Sequence, residues 1–348
     1  MAEQVTQEKI IEQLRTVQDP ELNRDLVSLN MIENVSVSNG TVKFTIVLTT
    51  PACPLKSKIQ ADAKSAVMEI PGVDNVEIKI SSKVSHNNQI KEQLTSKIKN
   101  IIAVSSGKGG VGKSTIAANL SISLAQTGAS VGLMDADIYG PNIPTMMGIS
   151  ELPKPSGGKI MPAKAYSVEV ISIGFLVKDG QPLIWRGPLL HGTIRQFLTD
   201  VDWGELDYLV VDLPPGTGDV QLSLSQNIPV TCGVVVTMPQ KVSLDDASRG
   251  IEMYQKLDIP IAGVIENMGA MEMPDGSKLD IFGEGGGEKL AEHYNLKFLG
   301  RIPIDPKLRM SGDAGKPIVI SEPDSRTSSI INEIACEVAS YICRLNLG

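Results

Sequence analysis

Residues 107–115 read Gly-Lys-Gly-Gly-Val-Gly-Lys-Ser-Thr. Gly107, Gly112, Lys113 and Ser114 occupy the fixed positions of Gly-x4-Gly-Lys-[Ser/Thr], the Walker A pattern of a phosphate-binding loop. Upstream, Ile101-Ile102-Ala103-Val104 is an apolar run that predicts a buried strand. Downstream, Thr115-Ile116-Ala117-Ala118-Asn119-Leu120 predicts a helix. Strand, glycine loop and helix together are the context in which the pattern becomes a phosphate site. Gly109, Gly110 and Val111 add backbone N–H groups that can face phosphate oxygens, and the helix N-terminus contributes partial positive charge. Lys113 is positioned to reach β/γ-phosphates, and Ser114 to offer its hydroxyl to Mg²⁺. The expected fold is α/β: a P-loop NTPase with a mostly parallel sheet flanked by helices, plus a small N-terminal α+β domain.

Beyond the loop, apolar segments at 101–105, 130–134, 207–212, 231–237 and 261–266 alternate with helical patterns. That alternation predicts a parallel sheet. Two strands end in acids: Leu133-Met134-Asp135-Ala136-Asp137 and Leu209-Val210-Val211-Asp212. Ligands of open α/β sheets sit at the carboxyl ends of the strands, so these carboxylates converge on the loop. Asp212 fits the Walker B role of holding Mg²⁺ through water. The turn Pro214-Pro215-Gly216-Thr217-Gly218 suits a segment that senses a γ-phosphate. A second glycine cluster, Gly283–Glu288, lacks Gly-Lys-[Ser/Thr] and is read as a flexible turn before a helix at 288–294. A last helix is expected over 326–345, with Ile330, Ile331, Ile334, Val338, Ala339, Ile342 and Leu345 as its core stripe.

Residues 1–80 read as a separate domain, 81–97 as a polar linker and 98–348 as the nucleotide domain. In the first domain a helical stripe covers 5–17. A hairpin flanks Ser38-Asn39-Gly40, a second helix follows Pro54, and a strand runs from Val73 to Ile80. The chain has 348 residues, 42% of them hydrophobic, and a net charge of −8. The negative charge argues against nucleic-acid or anionic-lipid binding. The polar face of the last helix carries Glu333 and Glu337 with only Arg344 as a base, which argues against membrane anchoring. The polar N-terminus is unlike a signal or transit peptide. Four scattered cysteines point to a reduced, cytoplasmic protein rather than a disulfide framework.

Lys108, directly after the first glycine, is the mark of the deviant Walker A group. The chain resembles that group, which includes ParA, MinD and the nitrogenase iron protein. The resemblance implies a homodimer in which Lys108 reaches the partner's nucleotide. It also implies switch I roles for Asp135, in the metal shell, and for Asp137, which orients or deprotonates the attacking water. Asn267 would hydrogen-bond adenine, and Pro303 and Asp305 would line the base. No Asn-Lys-x-Asp is present, so ATP is expected over GTP.

Further segments resemble one branch, the Mrp/ApbC group of iron–sulfur cluster carrier ATPases. They are Asp137-Ile-Tyr-Gly-Pro-Asn-Ile-Pro144, Trp185-Arg-Gly-Pro188, Trp203-Gly-Glu-Leu-Asp-Tyr208, Asp212-Leu-Pro-Pro-Gly-Thr-Gly-Asp219, Glu266-Asn-Met268 and Asp280-Ile-Phe-Gly283. Asp19-Pro-Glu-Leu22 and Thr49-Thr-Pro-Ala-Cys-Pro54 resemble a MIP18-like domain. The resemblance implies an enzyme that hydrolyses ATP to ADP and phosphate, coupled to transfer of iron–sulfur clusters. Its partners would be a second copy, apo iron–sulfur proteins and assembly factors.

Many members of this branch carry Cys-x-x-Cys after Glu-Asn-Met, where two pairs bridge a [4Fe–4S] cluster. Here Gly269–Leu279 contains no cysteine. Attention therefore shifts to Cys53, expected at a helix N-cap before Pro54, where the helix dipole favours thiolate and iron binding. Cys232 is expected to be buried. Cys336 and Cys343 lie about 10 Å apart along one helix, too far to share a metal. His86, His191 and His293 show no ligand spacing. The competing expectation is an ATP-gated scaffold or positioning ATPase of the MinD/ParA type that holds no cluster.

Overall fold

The computed structural model describes residues 5–20, 22–84, 97–176, 187–216, 218, 221–222, 224–225, 228–273 and 275–347, with backbone alone for 187–191. Trp185, Arg186, Thr217, Asp219 and most of the expected linker lie outside the described residues, as does His86. Two compact units emerge: Met1–Ser85 with Ala339–Gly348, and His86–Val338.

The first unit carries α1 (Gln7–Leu14), β1 (Ile32–Ser38), β2 (Thr41–Leu48), α2 (Lys56–Met68) and β3 (Asn75–Ser82). Thr6 starts α1, its hydroxyl accepting from the Lys9 amide, as N-cap threonines do. β1 pairs antiparallel with β2, and β2 pairs parallel with β3. The core joins Ile10 and Leu14 of α1, Phe44 and Ile46 of β2, and Ile59 and Ala63 of α2.

The second unit is built on an eight-stranded sheet. In chain order its elements are β4 (Ile98–Ser106), α3 (Lys113–Gln126), β5 (Val131–Asp135), α4 (Ile143–Met146), β6 (Ala163–Ala165), β7 (Val168–Ser172) and α5 (Gly187–Thr199). There follow β8 (Leu206–Asp212), β9 (Cys232–Thr237), α6 (Lys241–Lys256), β10 (Ile261–Gly269), α7 (Gly286–His293), β11 (Phe298–Pro303), α8 (Pro306–Asp313), α9 (Ile318–Ser321) and α10 (Arg326–Leu347), whose residues from Ala339 on belong to the first unit. The strand order is β11-β10-β9-β4-β8-β5-β7-β6. Only the β6–β7 pair is antiparallel. The central strands are buried on both faces, which is why they read as continuous apolar runs. Ile101, Ala103, Leu209, Val211, Val235 and Val264 form the middle of the core.

β4 lies between β8 and β9, yet the chain leaving it passes over β8 to form β5. The strand order therefore reverses beside β4, and the crevice at its carboxyl end is where this architecture places a ligand. The five strands expected from sequence are all present. β6, β7 and β11 were not anticipated, because short strands near the sheet edges have weak apolar runs.

Candidate nucleotide site

The 107–112 loop leaves the carboxyl end of β4 and enters α3 at Gly112, whose φ is 88°. A Cβ here would stand 2.1 Å from Asn267 Nδ2, so both the backbone conformation and the close approach require glycine. The Asn267 amide uses that proximity to donate to the Val111 carbonyl at 2.8 Å. No side chain caps the N-terminus of α3. Its first-turn N–H groups, with the helix dipole behind them, are available to an anion.

Lys113 is 5% exposed, and its ammonium lies 2.5 Å from Asp212 Oδ1 and 3.4 Å from Asp137 Oδ2. Asp212 and Asp135 are direct neighbours across β8 and β5, so two carboxyls end side by side at the sheet edge. Burial pushes both upward, Asp135 to about 8, with the neighbouring Asp212 charge adding to it. The Lys113 ammonium opposes the upward shift at both carboxyls.

Asp135 Oδ1 accepts from the Asp137 amide, and Oδ2 accepts from Ile143 N and Ser172 Oγ. The expectation placed Asp135 in the metal shell. In this structure its oxygens brace the 135–143 loop, where the chain turns back over the carboxylate after β5. Asp137 Oδ1 accepts from the Tyr139 and Gly140 amides, leaving Oδ2 toward Lys113.

Asp212 Oδ2 is buried with no hydrogen-bond partner among the described residues. An orphaned buried carboxylate oxygen is costly in a closed core. With the Ser114 hydroxyl next to Lys113, it forms an all-oxygen donor set that fits a hard cation such as Mg²⁺. The 214–216 turn is fastened beside the loop, since Gly216 N donates to Ser106 O at 2.9 Å.

A mostly apolar cavity of about 510 Å³ opens beside the loop. Its lining includes Gly112, Thr115, Met146, Asn267, Pro303 and Asp305. Asp305 is also the N-cap of α8, accepting from Lys307 N at 2.8 Å and from Thr327 Oγ1 at 2.7 Å. Lys108 is half-buried at the mouth of the loop, and its ammonium makes no hydrogen bond or ion pair with the described residues. The P-loop residues, Asp135, Asp137, Asp212, Asn267, Pro303 and Asp305 are thus brought together within the second unit.

Two readings are corrected. Cys53 is not an N-cap: α2 begins with Leu55 as its cap, and Cys53 sits two residues further out, half-buried against the core of the first unit. Helical geometry starts after Leu55 rather than at Pro54, so the dipole argument for a thiolate at Cys53 lapses. The Gly283–Glu288 cluster is no loose turn either. Helix α7 already starts at Gly286, and the amides of Gly285 and Gly287 are held by the buried Glu266 carboxylate. Glu266 is the residue that sequence reasoning missed. It was visible in Glu266-Asn-Met268, but its cationic partner Arg301 is 35 residues away. Cys232 is buried as expected, and burial pushes its thiol up to about 12.

Residues 97–339 match the family described as the NUBPL iron-transfer P-loop NTPase, of ParA type. Residues 7–80 match the iron–sulfur cluster assembly protein family. An iron–sulfur cluster carrier protein of Synechocystis sp. is 49% identical over 346 residues, covering 97% of this chain and 98% of its own. One from Deinococcus radiodurans is 48% identical, covering 96% and 95%. A nucleotide-binding protein of Archaeoglobus fulgidus, solved in complex with ADP, superposes with a TM-score of 0.59 at 38% identity, over 68% of this chain and 93% of that one. With the loop, the strand-end acids and the parallel sheet in place, the chain belongs to the ParA-type family of iron-transfer P-loop NTPases and is an ATPase.

Proposed function

We propose that the chain works as a homodimer that couples ATP hydrolysis to carrying iron–sulfur clusters to apoproteins. The observation that carries the nucleotide part is the placement of Lys113 between Asp212 and Asp137 at the mouth of the loop. Two carboxylates there occupy the position of an anionic ligand. Incoming phosphates replace them as counter-charges, the loop amides and Lys113 taking the β- and γ-phosphates. Ser114 and Asp212 would hold Mg²⁺, which would neutralise charge developing on the phosphate oxygens. Asp137, released from Lys113, faces the attacking water. Adenine enters the cavity beside Asn267, Pro303 and Asp305. Lys108, with no partner of its own among the described residues, reaches the nucleotide of the second copy.

The names of the relatives support the cargo. The chain's own thiol offered to it is Cys53, on the first unit. The test is anaerobic reconstitution with iron and sulfide, reading bound iron per chain and the visible spectrum for wild type and Cys53→Ala. Light scattering with ATP and with ADP reads the dimer. Iron bound by wild type and lost in Cys53→Ala supports the assignment. A second reading, an ATP-gated scaffold without cluster, is favoured by two facts. The 269–279 stretch contains no cysteine. Among the described residues no three His, Cys, Asp or Glu side chains are grouped to hold a metal. ATP hydrolysis with no iron bound by either protein selects that reading.

A further inference from the structure

Glu266 and Arg301 face each other across β10 and β11. Arg301 Nε donates to Glu266 Oε1 at 2.6 Å. The other guanidinium nitrogens reach Glu284 at 3.2 Å and Glu288 at 3.0 Å. Glu266 is fully buried and accepts two backbone donors, Gly285 N at 3.1 Å and Gly287 N at 2.6 Å. Gly287 permits this approach, since a Cβ there would stand 2.9 Å from that of Glu266. Every oxygen of this buried carboxylate is therefore engaged, and its charge is matched by a fork of donors.

What lies immediately beyond the pair gives it a task. The residue after Glu266 is Asn267, which points to the opposite side of the strand and donates to the P-loop at Val111 O. Met268 follows with φ 58°, and the β10–β11 register breaks between Glu266 and Gly269. On β11, two residues beyond Arg301, come Pro303 and then Asp305, which with Asn267 line the cavity. One cross-strand ion pair therefore joins both strands just before the bulge, one residue ahead of Asn267 on β10 and two ahead of Pro303 on β11. Beyond the bulge and the left-handed Met268 the strands pair once more, at Gly269 and Pro303, where Ile304 N donates to Gly269 O at 3.0 Å. Glu266 and Asn267 are consecutive and point to opposite faces of β10, so a shift of the backbone at Glu266 is passed to Asn267 and to its bond with Val111 O.

We infer that Glu266 and Arg301 are positioning residues for nucleobase selection: their buried ion pair sets the orientation of Asn267 and of the Pro303–Asp305 segment, and so the preference for adenine. The pair touches no nucleotide and acts only through these neighbours. The inference rests on the proposed placement of the base in this cavity, and the experiment separates the two.

The full chain is assayed for ATP and GTP hydrolysis, and for ADP and GDP binding by calorimetry, as wild type, Asn267→Ala, Arg301→Gln and Glu266→Gln. Arg301→Lys is included because it keeps one charged contact if the other variants fold poorly, and circular dichroism melting checks each. Arg301→Gln is expected to raise KM for ATP about tenfold with kcat within about twofold, and to lower the ATP-over-GTP preference by a similar factor. Arg301→Lys falls between it and wild type. A folded Arg301→Gln or Arg301→Lys protein with wild-type KM and preference, alongside an Asn267→Ala protein that has lost preference, overturns the inference and leaves the base placement standing. If Asn267→Ala keeps the wild-type preference, the base placement falls and the inference falls with it. A drop in kcat at constant KM and preference also overturns it, since that marks a group acting on the chemical step.

Discussion

The ammonium of Lys113 lies 2.5 Å from Asp212 Oδ1 inside a site from which water is almost excluded. The nucleotide-free protein thus holds its principal phosphate-binding cation in an internal ion pair. Removing one partner of a buried pair leaves an uncompensated charge. Lys113→Met is expected to lower unfolding stability by about 3–5 kcal/mol, and Lys113→Met with Asp212→Asn to recover most of it. Urea unfolding of the four proteins in the cycle reads this; a stable single variant would show that the pair does not hold in solution. Both variants should fail to bind nucleotide.

Asp137→Asn keeps the amide contacts at Oδ1 but removes the carboxylate facing Lys113. It is expected to bind MgATP with affinity near that of wild type and to slow the chemical step by at least about 10²-fold. Single-turnover hydrolysis checks it. Lost binding with unchanged chemistry would move the water-activating role elsewhere.

Gly112→Ala places a methyl group where Asn267 Nδ2 now sits, in a left-handed backbone conformation. The backbone term alone costs about 1–2 kcal/mol, so the protein should still fold. The amide of Asn267 must leave the Val111 carbonyl, and calorimetry should find ADP binding lost or weakened by more than tenfold, an outcome of the order expected for a displaced loop.

Cysteine reactivity should follow burial. Burial raises the Cys232 thiol to about 12, so raising the pH from 7 to 9 leaves it neutral, whereas an ordinary thiol near 8.5 becomes largely thiolate over that range. Alkylation of the native protein at pH 9, read by peptide mass spectrometry, should modify the half-buried Cys53 and Cys336 well before Cys232. Early labelling of Cys232 would mean that β9 opens under native conditions.

The loop was legible because its chemistry is local: Gly107 to Thr115 specify turn, donors and helix start within nine residues. Asp135, Asp137 and Asp212 were legible because apolar strands announce where they end. Glu266 was not, because a carboxylate at a strand end reads the same whether it meets a ligand, a helix N-terminus or an arginine. Cys53 was misplaced for a similar reason. Pro54 permits a helix start but does not oblige one, and Leu55 takes the cap.

Sequence by itself determined the fold class, the phosphate loop and the set of acids around it, since periodicity and short motifs are properties of neighbouring residues. Tertiary structure alone decided how those groups are shared out. Lys113 engages Asp212 and Asp137, Asp135 turns to brace its own loop, and Asn267 is tied to Val111. The pairings of Lys113 with Asp137 and Asp212 and of Asn267 with Val111 join residues 24 to 156 positions apart, and only the strand order of the sheet brings them within hydrogen-bonding distance.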